Sequence, residues 1–518
     1  HFGAELRKAG WDGIAITGKA EKPVYIYIED EQVAIRDAEK LWGLDTFDTY
    51  DQMIAETNPK ARTVSIGPAG ENLVSFASII QGGRDLCRAV GRGGMGAIFG
   101  SKRLKGIAVS GSEKVTVSDQ DRLRGLVRQQ NQVIRKKSEG LSKFGTAGGL
   151  SGTEAVGDLP IHNYHKGTWA EGAKAINGQT LAENYEVKRT FCFACPIGCG
   201  KHLNTDLDDG THIEGAAPEY EALAGLGALL EIDDQQTMIK ANNLCNRMGM
   251  DTISTSSAVA FAIEAFENGV IQLEDCDQHP LEWGDPESLL VCLDLIVSRR
   301  GCGDVLAQGV RQAAKIYQQG SDDYAIHVKG LEIAYHDPRA VFSMAANYVT
   351  ANRGACHLEG LSHWRVHGLD ASSWSTVEAH RFSNEDAAPE AIAFQNYFSV
   401  YNPIGICKFL GKTSLSPDTI AELVSAATGW DITGDEILLS GERIFNLKRM
   451  INNRLGITRE DDDLPHRLKT LPLPDGVSEG QLPDMEKILA NYYELRGWQA
   501  NGHLSEMTKQ HLGLSNIH

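Results

Sequence analysis

Nowhere does this chain of 518 residues hold the ~18 consecutive apolar residues that a membrane-spanning helix requires. Its most apolar stretch, residues 257–266, is broken by Glu264. Positive charge is also short: 50 Lys and Arg stand against 69 Asp and Glu, and the resulting net charge of -19 repels phosphate backbones, which argues against nucleic acid as a general partner. Neither a tandem repeat of roughly 20–50 residues nor a long low-complexity linker interrupts the chain. The ten cysteines are too few and too unevenly spaced for a disulfide scaffold. A reducing cytoplasm, with thiolates reserved for metal, is the expectation. The chain opens at His1 rather than Met, and its first residues show no charged-then-apolar leader.

What is present is an ordinary globular balance of 42% apolar and 23% charged residues. At roughly 100–200 residues per domain the length allows about three domains. Short β-rich runs at 23–29, 63–66 and 106–109, separated by glycine turns, predict a β-rich first domain over 1–118. Helical periodicity then takes over, at 119–139, 220–230, 235–248 and 256–268 in a domain over 119–330. It continues at 383–398, 417–428, 434–454 and 484–496 in a domain over 331–518, with Gly497 as a stop signal. The fold class expected is α+β.

Three features carry chemistry. In Cys192-Phe-Ala-Cys195-Pro-Ile-Gly-Cys199, three thiols on one tight loop can hold three corners of an iron–sulfur cube. A structural zinc site is the alternative, but zinc cysteines more often come as two separated pairs. A fourth ligand must come from elsewhere, with Cys87, Cys245, Cys276, Cys292, Cys302, Cys356 and Cys407 as candidates and a buried thiol as the default for each. Next, Cys87-Arg88-Ala89-Val90-Gly91-Arg92-Gly93-Gly94-Met95-Gly96-Ala97 sets two arginines among glycines, a good phosphate seat that matches neither the GxxxxGK[ST] loop nor a GxGxxG fingerprint in context; a flexible turn with solvated arginines is equally compatible. Last, Asn246-Arg-Met-Gly249-Met250-Asp251 and Asn402-Pro-Ile-Gly405-Ile406-Cys407 echo one another as Asn-x-x-Gly-aliphatic-(Asp/Cys), which suggests two copies of one ligand seat.

Together these segments resemble the aldehyde ferredoxin oxidoreductase family, tungsten enzymes with a bis-pterin cofactor beside a [4Fe–4S] cluster. The likeness runs along nearly the whole chain, from His1-Phe-Gly-Ala-Glu-Leu-Arg-Lys-Ala-Gly-Trp-Asp-Gly through Gly18-Lys-Ala-Glu-Lys-Pro, Ser65-Ile-Gly-Pro-Ala-Gly-Glu-Asn, the glycine-rich segment with Gly100-Ser-Lys and the cysteine loop, to Tyr492-Tyr-Glu-Leu-Arg-Gly-Trp. Family members carry DxxGLD and DxxGLC hexads that seat the two pterins, the last cysteine closing the cluster. The resemblance therefore implies Cys407 as fourth ligand beside Cys192, Cys195 and Cys199, and pterin contacts at Asn246, Gly249, Met250, Asp251, Asn402, Gly405 and Ile406. Both hexads depart from the pattern, with Asn246 and Asn402 for aspartate and Met250 and Ile406 for leucine. Asparagine keeps an acceptor and adds a donor, so a pterin contact survives in kind. Arg88 and Ala89, with Arg92 and Gly93 beside them, fall where the family touches the pterin phosphates and their bridging magnesium. Family proteins have a further N-terminal segment, so the sequence is expected to be incomplete before His1.

The activity implied is oxidation of an aldehyde to a carboxylic acid, electrons passing through the cluster to a ferredoxin or an iron–sulfur subunit, in a homo- or hetero-oligomer. Tungsten and molybdenum take the same pterin thiolates, so spacing does not choose between them. Protein groups then need only move protons and orient the carbonyl. By resemblance one of Glu219 and Glu221 and His357 take that part, with His336 as a second pocket candidate and His363 and His367 shaping access around Trp364. Two alternatives stand beside this: the tungsten subunit of a complex reducing benzoyl-coenzyme A, and a non-catalytic iron–sulfur electron carrier.

Overall fold

The computed structural model describes residues 1–413 and 415–517. Helices dominate, and the strands form small sheets, so the α+β expectation holds. The chain gathers into two compact units, each built from separated stretches. His1–Thr116, Gly140–Ser151 and Ala170–Ala325 make the first, and Val117–Glu139, Gly152–Trp169 and Ile326–His518 the second. No helix among the described residues is long and apolar enough to cross a membrane.

The first unit is built on a six-stranded sheet of β1 (Val24–Glu29), β2 (Gln32–Asp37), β3 (Arg62–Ser65), β4 (Ile79–Gln81), β5 (Arg88–Val90) and β6 (Leu104–Ser110), in the order β2-β1-β6-β3-β4-β5. Only β1 and β6 run parallel. Because side chains alternate along a strand, Tyr25 and Tyr27 pack with Met53 and Ala108 on one face. Ile28, Val64, Ile107 and Val109 fill the other with Leu6 and Ile66. The edge strand β5 pairs with β4, Arg88 opposite Gln81, and hands the chain directly to the glycine-rich segment. A second sheet, β7 (Val187–Thr190), β8 (Gly200–Asp206) and β9 (His212–Ala216), is antiparallel. Periodicity does not reveal it, since Lys188, Arg189, His202, Asn204 and Asp206 make its strands polar and uneven.

Helices Gln235–Met248 and Thr252–Glu267 come next. The second begins four residues before the expected 256, because Asp251 caps it, its carboxylate accepting from the Ile253 and Ser254 amides. It is buried from Ile253 to Ala265, as a helix without a polar face must be.

In the second unit the helix Asn384–Ser399 packs against Phe342–Thr350, Gly434–Arg454 and Met485–Arg496. Phe394, Tyr397 and Phe398 from it join Trp364, Trp374 and Tyr401 in the core. Gly497 ends the Met485–Arg496 helix in the left-handed region, as its sequence position predicts. At Gly441 two of these helices approach closely, since a Cβ there would overlap the Asn396 carbonyl oxygen. Gly441→Ala is therefore expected to destabilise this unit by about 1–3 kcal/mol through overpacking, read as a lower urea midpoint of tryptophan fluorescence. An unchanged midpoint would show that the helices part without cost.

Candidate functional site

The three thiols of the cysteine motif sit in the loop 191–199, which closes the β7–β8 hairpin between the paired residues Thr190 and Gly200. Ala194 and Gly198 adopt left-handed backbone, and the Arg189 guanidinium donates to the Ile197 carbonyl at 2.7 Å, pinning the loop to its own strand. Cys192 is exposed, Cys195 and Cys199 half-buried, and none of the three is in a disulfide. The Ile197 amide donates to Cys195 Sγ at 3.4 Å. Among the described residues no three His, Cys, Asp or Glu side chains converge tightly enough to hold a metal ion by themselves. What the hairpin supplies is a splayed set of sulfurs, the donor type of an iron–sulfur cluster.

Arg88, on β5, makes an ion pair with Glu219. That carboxylate, helped by Cys192 and Cys199, raises the arginine's pKa further above its ordinary value against the opposing effect of burial. Gly200 has no room for a side chain, since a Cβ would overlap Arg88 and Thr190. The edge strand and the thiol hairpin are thus in direct contact within the first unit. Lys201, next along β8, has its pKa lowered by burial and by Arg189, while Cys199 and Glu219 oppose this. Glu219 immediately precedes the helix Tyr220–Leu226, and Glu221 lies in its first turn.

The glycine-rich segment meets the first hexad. Arg92 Nε stands 3.2 Å from Asp251 Oδ2, both side chains under a tenth exposed. Ala89 and Gly93 are exposed, and no atom lies within 4 Å of a Cβ built on Gly93, so its backbone is open to a ligand. In the second unit, Asn402 and Cys407 are exposed. Asn402 lines a cavity of about 500 Å³ with Arg353, Cys356, Glu359, Lys408 and Lys448, three cations to one carboxylate. Burial pushes Lys408 down to about 8.

The two hexads have the same local structure. Gly249 closes Gln235–Met248 and Gly405 closes Tyr401–Ile404, both left-handed with φ of 76° and 74°. The following amides reach back identically, Met250 to Cys245 O at 2.8 Å and Ile406 to Tyr401 O at 3.0 Å. Each is a Schellman helix end, which accounts for the Asn-x-x-Gly-aliphatic echo and presents Asp251 and Cys407 just past a helix terminus.

Two family models match the chain, "Aldehyde ferredoxin oxidoreductase, N-terminal domain" over residues 1–111 and "Aldehyde ferredoxin oxidoreductase, domains 2 & 3" over residues 125–514. The chain belongs to the aldehyde ferredoxin oxidoreductase family. The tungsten-containing aldehyde ferredoxin oxidoreductase of Pyrococcus furiosus is 38% identical over 524 residues, covering 100% of this chain and 84% of that protein. The Thermococcus kodakarensis protein of the same description is 36% identical over 521 residues, covering 99% and 84%. An aliphatic sulfonate oxidoreductase, WOR-like subunit, of Pyrococcus furiosus is 31% identical, covering 99% and 82%. The active-site complex BamBC of benzoyl coenzyme A reductase, solved with 1,5-dienoyl-CoA, matches with a TM-score of 0.82 over 99% of this chain and 83% of that one. At 22% identity it shows a shared fold.

Membership in this family of oxidoreductases implies a tungsten–pterin and an iron–sulfur cluster. The three-thiol hairpin, the open backbone at Gly93 and the arginine-bearing strand fit such groups chemically. The sequence missed Asp158, which accepts a hydrogen bond from His336 Nδ1 at 2.6 Å. The two are far apart in the chain and no spacing pattern links them.

The buried pair at the glycine-rich segment can be tested by unfolding. Asp251→Asn keeps a cap acceptor but removes the negative charge opposite the buried Arg92 guanidinium, which should cost about 3 kcal/mol. Adding Arg92→Met should recover a large part of that loss in urea unfolding. A double variant no more stable than Asp251→Asn would show that the pair does not hold this loop.

Proposed function

We propose that this protein oxidises aldehydes to carboxylic acids and passes the electrons, one at a time, through a single [4Fe–4S] cluster to a ferredoxin or an iron–sulfur subunit. The observation that carries this is likeness to tungsten-containing aldehyde ferredoxin oxidoreductases over the whole chain at 36–38% identity. Cys192, Cys195, Cys199 and Cys407 are the proposed cluster ligands. Arg88, Ala89, Arg92 and Gly93, with Asn246, Gly249, Met250 and Asp251 and with Asn402, Gly405 and Ile406, are the proposed seats of the two pterins, a magnesium ion bridging their phosphates near Arg88 and Ala89. When bound, the tungsten–pterin supplies the two-electron redox chemistry. A reducing cytoplasm, which keeps the exposed Cys192 free, is the setting that suits such a loop.

The chain's own residues then have to orient the carbonyl and carry protons. One of Glu219, which is ion-paired with Arg88, and Glu221, in the first turn of the helix that follows, is the proposed proton carrier. His357, beside the buried Cys356, is the proposed imidazole partner, its ring centre 5.8 Å from that of His336. Arg353 donates to Cys356 Sγ at 2.9 Å and so keeps that thiol engaged next to His357.

A panel of aliphatic and aromatic aldehydes with a viologen acceptor is expected to give acid formation. Glu219→Gln or Glu221→Gln, whichever carries the proton, and His357→Ala should each lower turnover by about 10²–10⁴-fold while tungsten and iron contents stay unchanged. Near-normal rates would return these residues to structural roles. Cys407→Ser should abolish or convert the four-iron electron paramagnetic resonance signal of the reduced protein with little effect on the fold. An unaltered signal would remove Cys407 from the ligand set.

A further inference from the structure

A second group of titratable side chains lies wholly within the second unit. Asp158, fully buried, places Oδ2 2.6 Å from Nδ1 of His336 and 3.9 Å from Nε2 of His367. His336 is nearly buried, whereas about a fifth of the His367 side chain is exposed, 8% against 22%. One carboxylate oxygen therefore lies between a buried imidazole and one that meets solvent. The backbone holds this arrangement. The Asp337 amide donates to the Asp158 carbonyl at 2.9 Å, the Asp158 amide to Thr153 O at 3.0 Å, and the Tyr348 hydroxyl to the His336 carbonyl at 3.2 Å.

The hydrogen bond at Nδ1 settles the tautomer of His336. With its Nδ1 proton on Asp158, neutral His336 presents Nε2 as an acceptor. His367, at 3.9 Å, is within one bridging water of the same carboxylate. The ring of His363 stacks on that of His336, centroids 3.6 Å apart and planes 22° from parallel, so two cations in this stack would repel at close range. Burial holds His363 well below the ordinary imidazole range, and His336, His357, His367 and Lys412 around it push the same way. His363 stays neutral, and the proton belongs to the His336–Asp158–His367 line.

We propose that Asp158 joins His336 to His367 as the proton exit path of the aldehyde oxidation proposed above, on which this inference rests. A proton accepted at His336 Nε2 is matched by loss of the Nδ1 proton to Asp158 Oδ2. That proton passes to His367 Nε2 and then to water. A half-turn of the His336 ring then turns Nε2–H toward Asp158 and leaves Nδ1 as the acceptor, so the hydrogen-bond pattern is restored with the two ring nitrogens exchanged. Only N–H and O–H bonds form and break, one proton enters for each that leaves, and the electrons take the separate route to the acceptor. Asp158 is a positioning residue for His336 and the carrier between the two imidazoles.

The holoenzyme tests this with two variants and one spectroscopic readout. Asp158→Asn can accept from Nδ1 but cannot take up a proton. It should lower kcat by about 10²-fold with KM and metal content unchanged and a larger solvent deuterium isotope effect, and Asp158→Glu should recover much of the rate. His367→Ala, at a partly exposed position, should slow turnover by about tenfold, and free imidazole added to the assay should restore it. In protein carrying ¹⁵N-labelled histidine, one imidazole should be fixed as the Nδ1–H tautomer. Near-normal turnover of Asp158→Asn, no rescue of His367→Ala by imidazole, or no fixed Nδ1–H ring would each overturn the proposal. Wild-type protein inert to aldehydes yet showing the fixed ring would instead refute the proposed oxidation.

Discussion

Everything proposed for electron transfer depends on a hairpin that must close over three thiols. The Thr190–Gly200 pairing fixes where the loop 191–199 begins and ends, and the Arg189 bond to the Ile197 carbonyl keeps it folded back on its strand. Held this way, the three sulfurs form no disulfide and stay at least partly exposed. Arg88 then contributes positive charge beside them, and Gly200 is what lets its guanidinium come so close. A thiolate-rich group placed here gains electrostatic stabilisation from that cation, which is also among the factors that set a cluster's potential.

The paired hexads show how a sequence pattern can be correct and still have an ordinary cause. Two Schellman ends account for the glycine and the aliphatic residue after it. The chemical difference between the two lies in the sixth residue. Asp251 both caps a helix and holds Arg92, whereas Cys407 is left exposed at the start of a short 3-10 turn. The echo in sequence therefore reflects a repeated backbone device put to two different chemical uses.

Much of the fold was legible where period or chemistry is strong. The helices Gln235–Met248, Pro417–Thr428 and Gly434–Arg454 begin and end at the residues expected, because acidic or hydroxyl caps and terminal glycines mark them. The strands β1, β3 and β6 fall within a residue or two of expectation. The sheet that carries the thiol loop was not legible, since its polar strands lack alternation and their pairing is decided by the loop they close. Of the site, the local motifs could be read directly, while contacts between distant stretches could not. Arg88 with Glu219, Arg92 with Asp251 and Asp158 with His336 are separated by far more chain than any motif spans. The resemblance named the glutamates as a pair, and the ion pair of Glu219 with Arg88 is a contact the sequence could not show.

The claim that unites these features is that the protein is a tungsten–pterin oxidoreductase with one four-iron cluster. Elemental analysis of natively purified protein for tungsten, molybdenum, iron and zinc, normalised per chain, tests it most directly. Tungsten together with about four irons per chain is the result predicted. Zinc alone, or iron without tungsten or molybdenum in protein purified with its cofactor supply intact, would contradict it.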